Sequence, residues 1–87
     1  MILLVGGVTE WHYHTEVTDY VVCLTGVICI ELKVPSTSTT LQPGERFSIE
    51  PHIVHRVVNI GEVQAEYLLL QGVGRYDFCK GELASDT

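Results

Sequence analysis

Residues 11–26, WHYHTEVTDYVVCLTG, place two histidines one residue apart, an aspartate five residues further on, and an apolar run that stops at glycine. On a β-strand, alternate side chains share a face. His12 and His14 therefore aim together while Tyr13 points away. Asp19 is odd-numbered and, on an unbroken strand, would face the opposite side. The polar TEVT between them must then hold a turn or bulge that starts a new strand. Two imidazoles converging on one point suggest a metal.

The rest of the chain also reads as short strands. No window sustains the i, i+3, i+4, i+7 pattern of an amphipathic helix. Instead ILLV ends at Gly6–Gly7, YVVCL reaches a turn at Thr25–Gly26, and VICIELKV runs on to Pro35. PSTSTT is expected to be a loop, because its Ser and Thr hydroxyls compete for local backbone hydrogen bonds. LQPGE carries a Pro-Gly turn. RFSIE, a corner at Pro51, HRVVNI, a turn at Gly61–Glu62 and AEYLLLQGV follow. Strands at this spacing make an all-β sandwich or barrel. One domain over residues 1–78 is expected, with a polar C-terminal tail over 79–87.

Composition bounds the partners. A content of 46% hydrophobic and 18% charged residues is that of a globular chain rather than a disordered one. The five Lys and Arg are scattered and the formal charge is −6, which argues against nucleic acid and against an anionic membrane surface. No run approaches a membrane span. MILLVGGV lacks the positive start of a signal peptide, the first basic residue being Lys33. Cys23, Cys29 and Cys79 are odd in number and form no metal or disulfide framework, so a reducing cytoplasm is the expected setting.

A second histidine cluster lies at residues 44–59, GERFSIEPHIVHRVVN. His55, Val57 and Asn59 share one strand face there. Taken together, the two clusters resemble the cupin family, small double-stranded β-helix (jelly-roll) barrels of the single-domain, RmlC-like kind. The first family motif runs glycine, His-x-His, acid, glycine, and is met here by Gly6, His12, His14, Asp19 and Gly26 at the family's spacings. The second runs glycine, Pro-x-Gly, His, Asn, and is met by Gly44, then Glu50 and His52 in place of Pro and Gly, then His55 and Asn59. Asp19 stands where the family has glutamate, one methylene longer. Histidine tolerates positive φ, so His52 is able to keep the corner.

The resemblance implies a divalent transition metal (Mn, Fe, Ni, Cu or Zn) held by His12, His14, Asp19 and His55, with open positions for a small-molecule ligand. His52, Asn59, Tyr67 and Gln71 are the further pocket candidates. Asn59 is expected to satisfy buried backbone groups, and Gln71, polar on an apolar strand, needs a partner. The leading reading is a metal-binding barrel that binds or acts on a small oxygenated molecule, a sugar derivative or a keto or hydroxy acid. The alternatives are an Fe(II)-dependent dioxygenase and a non-enzymatic binding module with a vestigial metal site. No acid or base beyond the ligands is clearly aimed inward, so catalysis itself stays open. A barrel of this size with one leading strand exposes an edge at MILLV, and a homodimer is expected in which that strand joins its own or its partner's sheet.

Overall fold

The computed structural model describes residues 1–72 and 79–80. Nine strands form among these residues: β1 (Ile2–Leu3), β2 (His12–Tyr13), β3 (Asp19–Thr25), β4 (Ile28–Leu32), β5 (Thr37–Leu41), β6 (Arg46–Ile49), β7 (His55–Asn59), β8 (Ala65–Gln71) and β9 (Cys79–Lys80). They make an all-β barrel of two antiparallel sheets. One sheet has the order β1-β8-β3-β6 and the other β5-β4-β7-β2-β9. Consecutive strands mostly alternate between the sheets or pair as hairpins, so both sheets depend on the same turns.

The crossing between β2 and β3 resolves the parity conflict in the opening stretch. β2 ends at Tyr13 in the five-stranded sheet, and β3 begins at Asp19 in the four-stranded one. Changing sheets turns the Asp19 side chain back toward the histidines. The turns that close the barrel lie at the motif glycines. Gly6, Gly26 and Gly44 all have positive φ. At Gly26 a Cβ would also lie 2.9 Å from the Ala65 backbone, so no other residue fits without moving β8. His52 takes the fourth such position at φ 69°, which keeps the corner where the family has glycine. Its backbone N–H donates to the His14 carbonyl at 2.6 Å, which ties the corner to the first histidine motif.

The strand faces grade from polar to apolar along the barrel. Inward positions read Asp19, Val21, Cys23 on β3, His55, Val57, Asn59 on β7, and Gln71, Leu69, Tyr67, Ala65 on β8. Asp19 and His55 thus stand at one mouth, with Gln71 paired opposite Asp19. Ile28, Ile30, Val21, Cys23, Leu41, Ile49 and Val57 fill the middle as a continuous apolar core. Burying each of these larger aliphatic side chains contributes about 1.5–3 kcal/mol.

Asn59 closes the other end. Its Nδ2 donates to Leu3 O and to Val63 O, each at 2.9 Å, and its Oδ1 accepts from the Gly61 N–H at 2.9 Å. One buried amide therefore joins the N-terminal segment to the β7–β8 turn.

Two expectations meet the structure differently. PSTSTT is not a loop throughout: Thr37–Leu41 form β5, paired with β4 from Leu32↔Thr37 to Ile28↔Leu41. β-branched threonines suit a pleated edge strand, and the β4 ladder satisfies the backbone groups that the hydroxyls would otherwise compete for. The N-terminal strand joins its own sheet, at the edge beside β8, with Ile2↔Glu66 and Leu3↔Ala65 in register. Of the expected tail, Cys79 and Lys80 run alongside Tyr13 and His12. Residues 81–87 lie outside the described residues.

Replacing Asn59 by leucine should strand the two carbonyls and the Gly61 N–H together. The expected cost is about 3 kcal/mol or more. Urea denaturation should show the loss as a lower midpoint at unchanged slope. A loss under about 1 kcal/mol would show that water replaces the amide.

Candidate metal centre

Four side chains meet at the polar mouth. The donor atoms of His12, His14, Asp19 and His55 all lie within 4.8 Å of one another. The ring centroids of His12 and His55 are 4.2 Å apart, and those of His12 and His14 are 5.5 Å apart. Asp19 Oδ2 sits 3.2 Å from His14 Nε2 and 3.2 Å from His55 Nε2. Asp19 is 1% exposed, His14 and His55 each 3%, and His12 9%, so the group is closed off from bulk water except on the His12 side.

The backbone fixes which nitrogens face inward. His12 Nδ1 lies 2.7 Å from Glu10 O, and His55 Nδ1 lies 2.8 Å from Ile53 O. A carbonyl only accepts, so each Nδ1 carries the proton and donates it. Each Nε2 is then left with a lone pair for the cluster. Both carbonyls come from two residues upstream, the same local geometry repeated at the two motifs. Inward lone pairs and a carboxylate oxygen at these distances repel one another unless a proton or a cation lies among them. Imidazole nitrogens with their far N–H anchored to backbone oxygen are the donor set of a transition-metal site.

Asp19 is held from the opposite side as well. Gln71, its register partner on β8, donates from Nε2 to Asp19 Oδ1 at 3.2 Å. With Oδ1 engaged, Oδ2 turns to the histidines. The shorter aspartate thus stands within hydrogen-bond distance of two of the three rings. Burial alone would raise the Asp19 pKa, but a bond from His55 Nε2 when that ring carries both protons, the bond from Gln71 and the charges of His14 and His55 outweigh it and hold it below the ordinary value. Burial lowers the His12 pKa; the bond to Glu10 opposes this, and His55 and His14 add to the lowering.

A cavity of about 190 Å³ opens onto the cluster. Met1, Val21, Val57 and Leu69 form its apolar wall, Thr9 and Glu10 lie at its rim, and Tyr67 completes the lining. Burial, and then the charge of Asp19, raise the Tyr67 pKa, so its hydroxyl stays protonated. Among the further pocket candidates, Tyr67 lines the cavity and Gln71 orients Asp19. His52 is exposed and outside the described lining, and the Asn59 amide is engaged at the other end of the barrel. The carbonyls of Glu10 and Ile53 were not legible as part of the site, because backbone acceptors carry no residue-type signal. A larger hollow of about 480 Å³ lies on the outer side of β3 and β6 and has no histidine, cysteine or carboxylate in its described lining.

Comparison with known proteins agrees with the geometry. Residues 1–71 match the family model of the cupin domain. No curated protein matches this chain. Among solved structures, a Klebsiella pneumoniae protein with a double-stranded β-helix domain superposes with a TM-score of 0.82 at 19% identity, covering 92% of this chain and 69% of its own. QdtA, a sugar 3,4-ketoisomerase from Thermoanaerobacterium thermosaccharolyticum in complex with TDP, gives 0.78 at 20% identity over 99% of this chain and 69% of its own. A sugar phosphate isomerase of the cupin superfamily from Silicibacter pomeroyi gives 0.71 at 21% identity, over 84% of this chain and 47% of its own. The chain spans about half the length of several structures that it matches. At these identities the likeness is one of fold.

The depressed pKa values set the acid response of the metal-free protein. His12 is favoured neutral in the folded state, so below about 6.5 the unfolded chain takes up the proton first. Asp19 is favoured ionised, so its contribution is present above 3.8 and is lost as pH falls toward its lower folded value. Both signs agree: stability should fall as pH is lowered from 7, first through the histidine range and then through the carboxylate range. Melting temperatures across pH 7 to 3 should show this, and His12→Gln should flatten the upper stage. A melting temperature that rises on acidification to pH 5 would contradict the assignment.

Proposed function

This chain belongs to the cupin family, and we propose that it is a metal-binding cupin that binds or acts on a small oxygenated molecule at the mouth of its barrel. One observation carries the reading. His12 and His55 are each anchored through Nδ1 to a backbone carbonyl and aim Nε2 at one point, which the Asp19 carboxylate also faces. His12, His14, Asp19 and His55 would hold a divalent transition metal, among Mn, Fe, Ni, Cu and Zn. Such a metal supplies Lewis acidity toward a carbonyl or hydroxyl oxygen of the ligand.

The chain's own residues do the rest. Gln71 keeps the Asp19 carboxylate turned to the site. Met1, Val21, Val57 and Leu69 exclude water from one side of the ligand and suit a carbon skeleton. Tyr67 offers a protonated hydroxyl to a ligand oxygen. A keto or hydroxy acid or a sugar derivative combines these features, one oxygenated edge and one apolar side. The sugar isomerases among the structural neighbours are in keeping with that class. The unpaired, buried Cys23 and Cys29 support a reducing cytoplasmic setting, and the net charge of −6 supports a partner other than nucleic acid or a membrane. The short edge strand β1, with Ile2 62% exposed, supports a homodimer as the working form.

Protein purified without an affinity tag should contain one divalent metal per chain by elemental analysis. His14→Ala and His55→Ala should each lose most of it, and Gln71→Leu should weaken metal affinity about 10-fold or more by freeing Asp19. Full stoichiometry in the histidine variants would rule out this ligand set. An unchanged affinity in Gln71→Leu would remove the orienting role.

A further inference from the structure

The size and charge of the mouth cavity restrict what it can hold. Its volume of about 190 Å³ equals roughly six water volumes, below the range of pockets that enclose drug-sized ligands. A compound of about six to eight non-hydrogen atoms fills that space, a short carbon chain with its oxygens. A hexose with its hydroxyls is already too large to be enclosed.

The charge count is equally restrictive. Imidazoles that ligate through a lone pair are neutral, and His12 and His55 are set up to do so by their Nδ1 bonds. Asp19 brings one negative charge, so with a divalent cation among these donors the mouth keeps an excess of one positive charge. Glu10 stands at the exposed rim, where water and salt screen its carboxylate. Among the described residues lining the cavity there is no Lys or Arg. The apolar wall of Val21, Val57 and Leu69 cannot solvate the excess, and a single negative charge on the ligand cancels it. An uncharged ligand leaves the excess in place. A phosphate ester, at about −2, exceeds it and finds no described cation to meet the surplus.

Tyr67 adds an independent observation. It is 4% exposed and lines the cavity, and its hydroxyl makes no hydrogen bond to any described residue. Every fully buried side-chain N or O among the described residues has a partner, so the Tyr67 hydroxyl opens onto the cavity. Gln71 is engaged with Asp19. A carboxylate on the ligand belongs at the positive centre, which leaves the neighbouring oxygen to Tyr67. On the basis of the metal centre proposed above, we propose that the ligand is a short monoanionic 2-hydroxy or 2-keto acid without phosphate, and that Tyr67 selects it by donating a hydrogen bond to the oxygen beside the carboxylate.

Titration calorimetry on the metal-loaded protein, with metal content measured on the same sample, tests this. The probes are lactate, the uncharged 3-hydroxybutan-2-one of the same size, glycerol 3-phosphate, and propanoate, which lacks the second oxygen. Lactate should bind at least about 10-fold more tightly than each of the others. Tyr67→Phe should keep the metal content and the circular dichroism spectrum, weaken lactate about 10-fold, and change propanoate less than about 2-fold. Metal-loaded protein that binds 3-hydroxybutan-2-one or glycerol 3-phosphate as tightly as lactate would overturn the monoanion. Equal losses for lactate and propanoate in Tyr67→Phe would overturn the selecting role of the hydroxyl. Protein that takes up no divalent metal would instead overturn the metal centre itself, and this ligand class with it.

Discussion

One carboxylate oxygen links the two sheets. Asp19 starts β3 in the four-stranded sheet, His55 starts β7 in the five-stranded sheet, and His14 follows β2 in that same sheet. Oδ2 reaches both rings at 3.2 Å in a place almost without solvent. A buried carboxylate is costly unless it is compensated, and here the Gln71 amide and a proton or cation held among the imidazole nitrogens supply the compensation. Closing the barrel and assembling the donor set are therefore one event. The backbone bonds to Glu10 and Ile53 choose the tautomer before any metal arrives, so the site is preorganised by strand geometry rather than by the ion.

β8 shows how much one strand is asked to do. In AEYLLLQ the inward residues are Ala65, Tyr67, Leu69 and Gln71, which pass from core packing through the cavity wall to the carboxylate. The outward residues Glu66, Leu68 and Leu70 form the uncovered face. A strand apolar on both sides is the pattern of a strand buried on both sides. The same sheet thus carries the candidate site on one face and an exposed apolar surface on the other.

Much of this was readable along the chain. Side-chain alternation put His12 with His14 and demanded a break before Asp19, and the structure places the change of sheet there. The spacing of the glycines marked the turns, and all three motif glycines have positive φ. His52 at the fourth turn follows from histidine's tolerance of that conformation. Asn59 behaves as a buried amide in an apolar strand must, bonding to backbone. PSTSTT was misread because local hydroxyl competition was weighed without the β4 ladder that outcompetes it.

By itself, then, the sequence determined the all-β class, the residue types at the mouth and the turns that bring them round, since these follow from two-residue periodicity and from backbone conformations open to few side chains. Only the tertiary structure decided that Gln71 turns Asp19, that carbonyls of Glu10 and Ile53 set the histidine tautomers, and that Tyr67 faces the cavity while Asn59 closes the opposite end. The placements of Gln71, Tyr67 and Asn59 depend on cross-strand register and on the facing of two sheets, and join positions tens of residues apart that no local pattern encodes. The two carbonyl bonds span only two residues, but they rest on backbone angles that residue types do not specify.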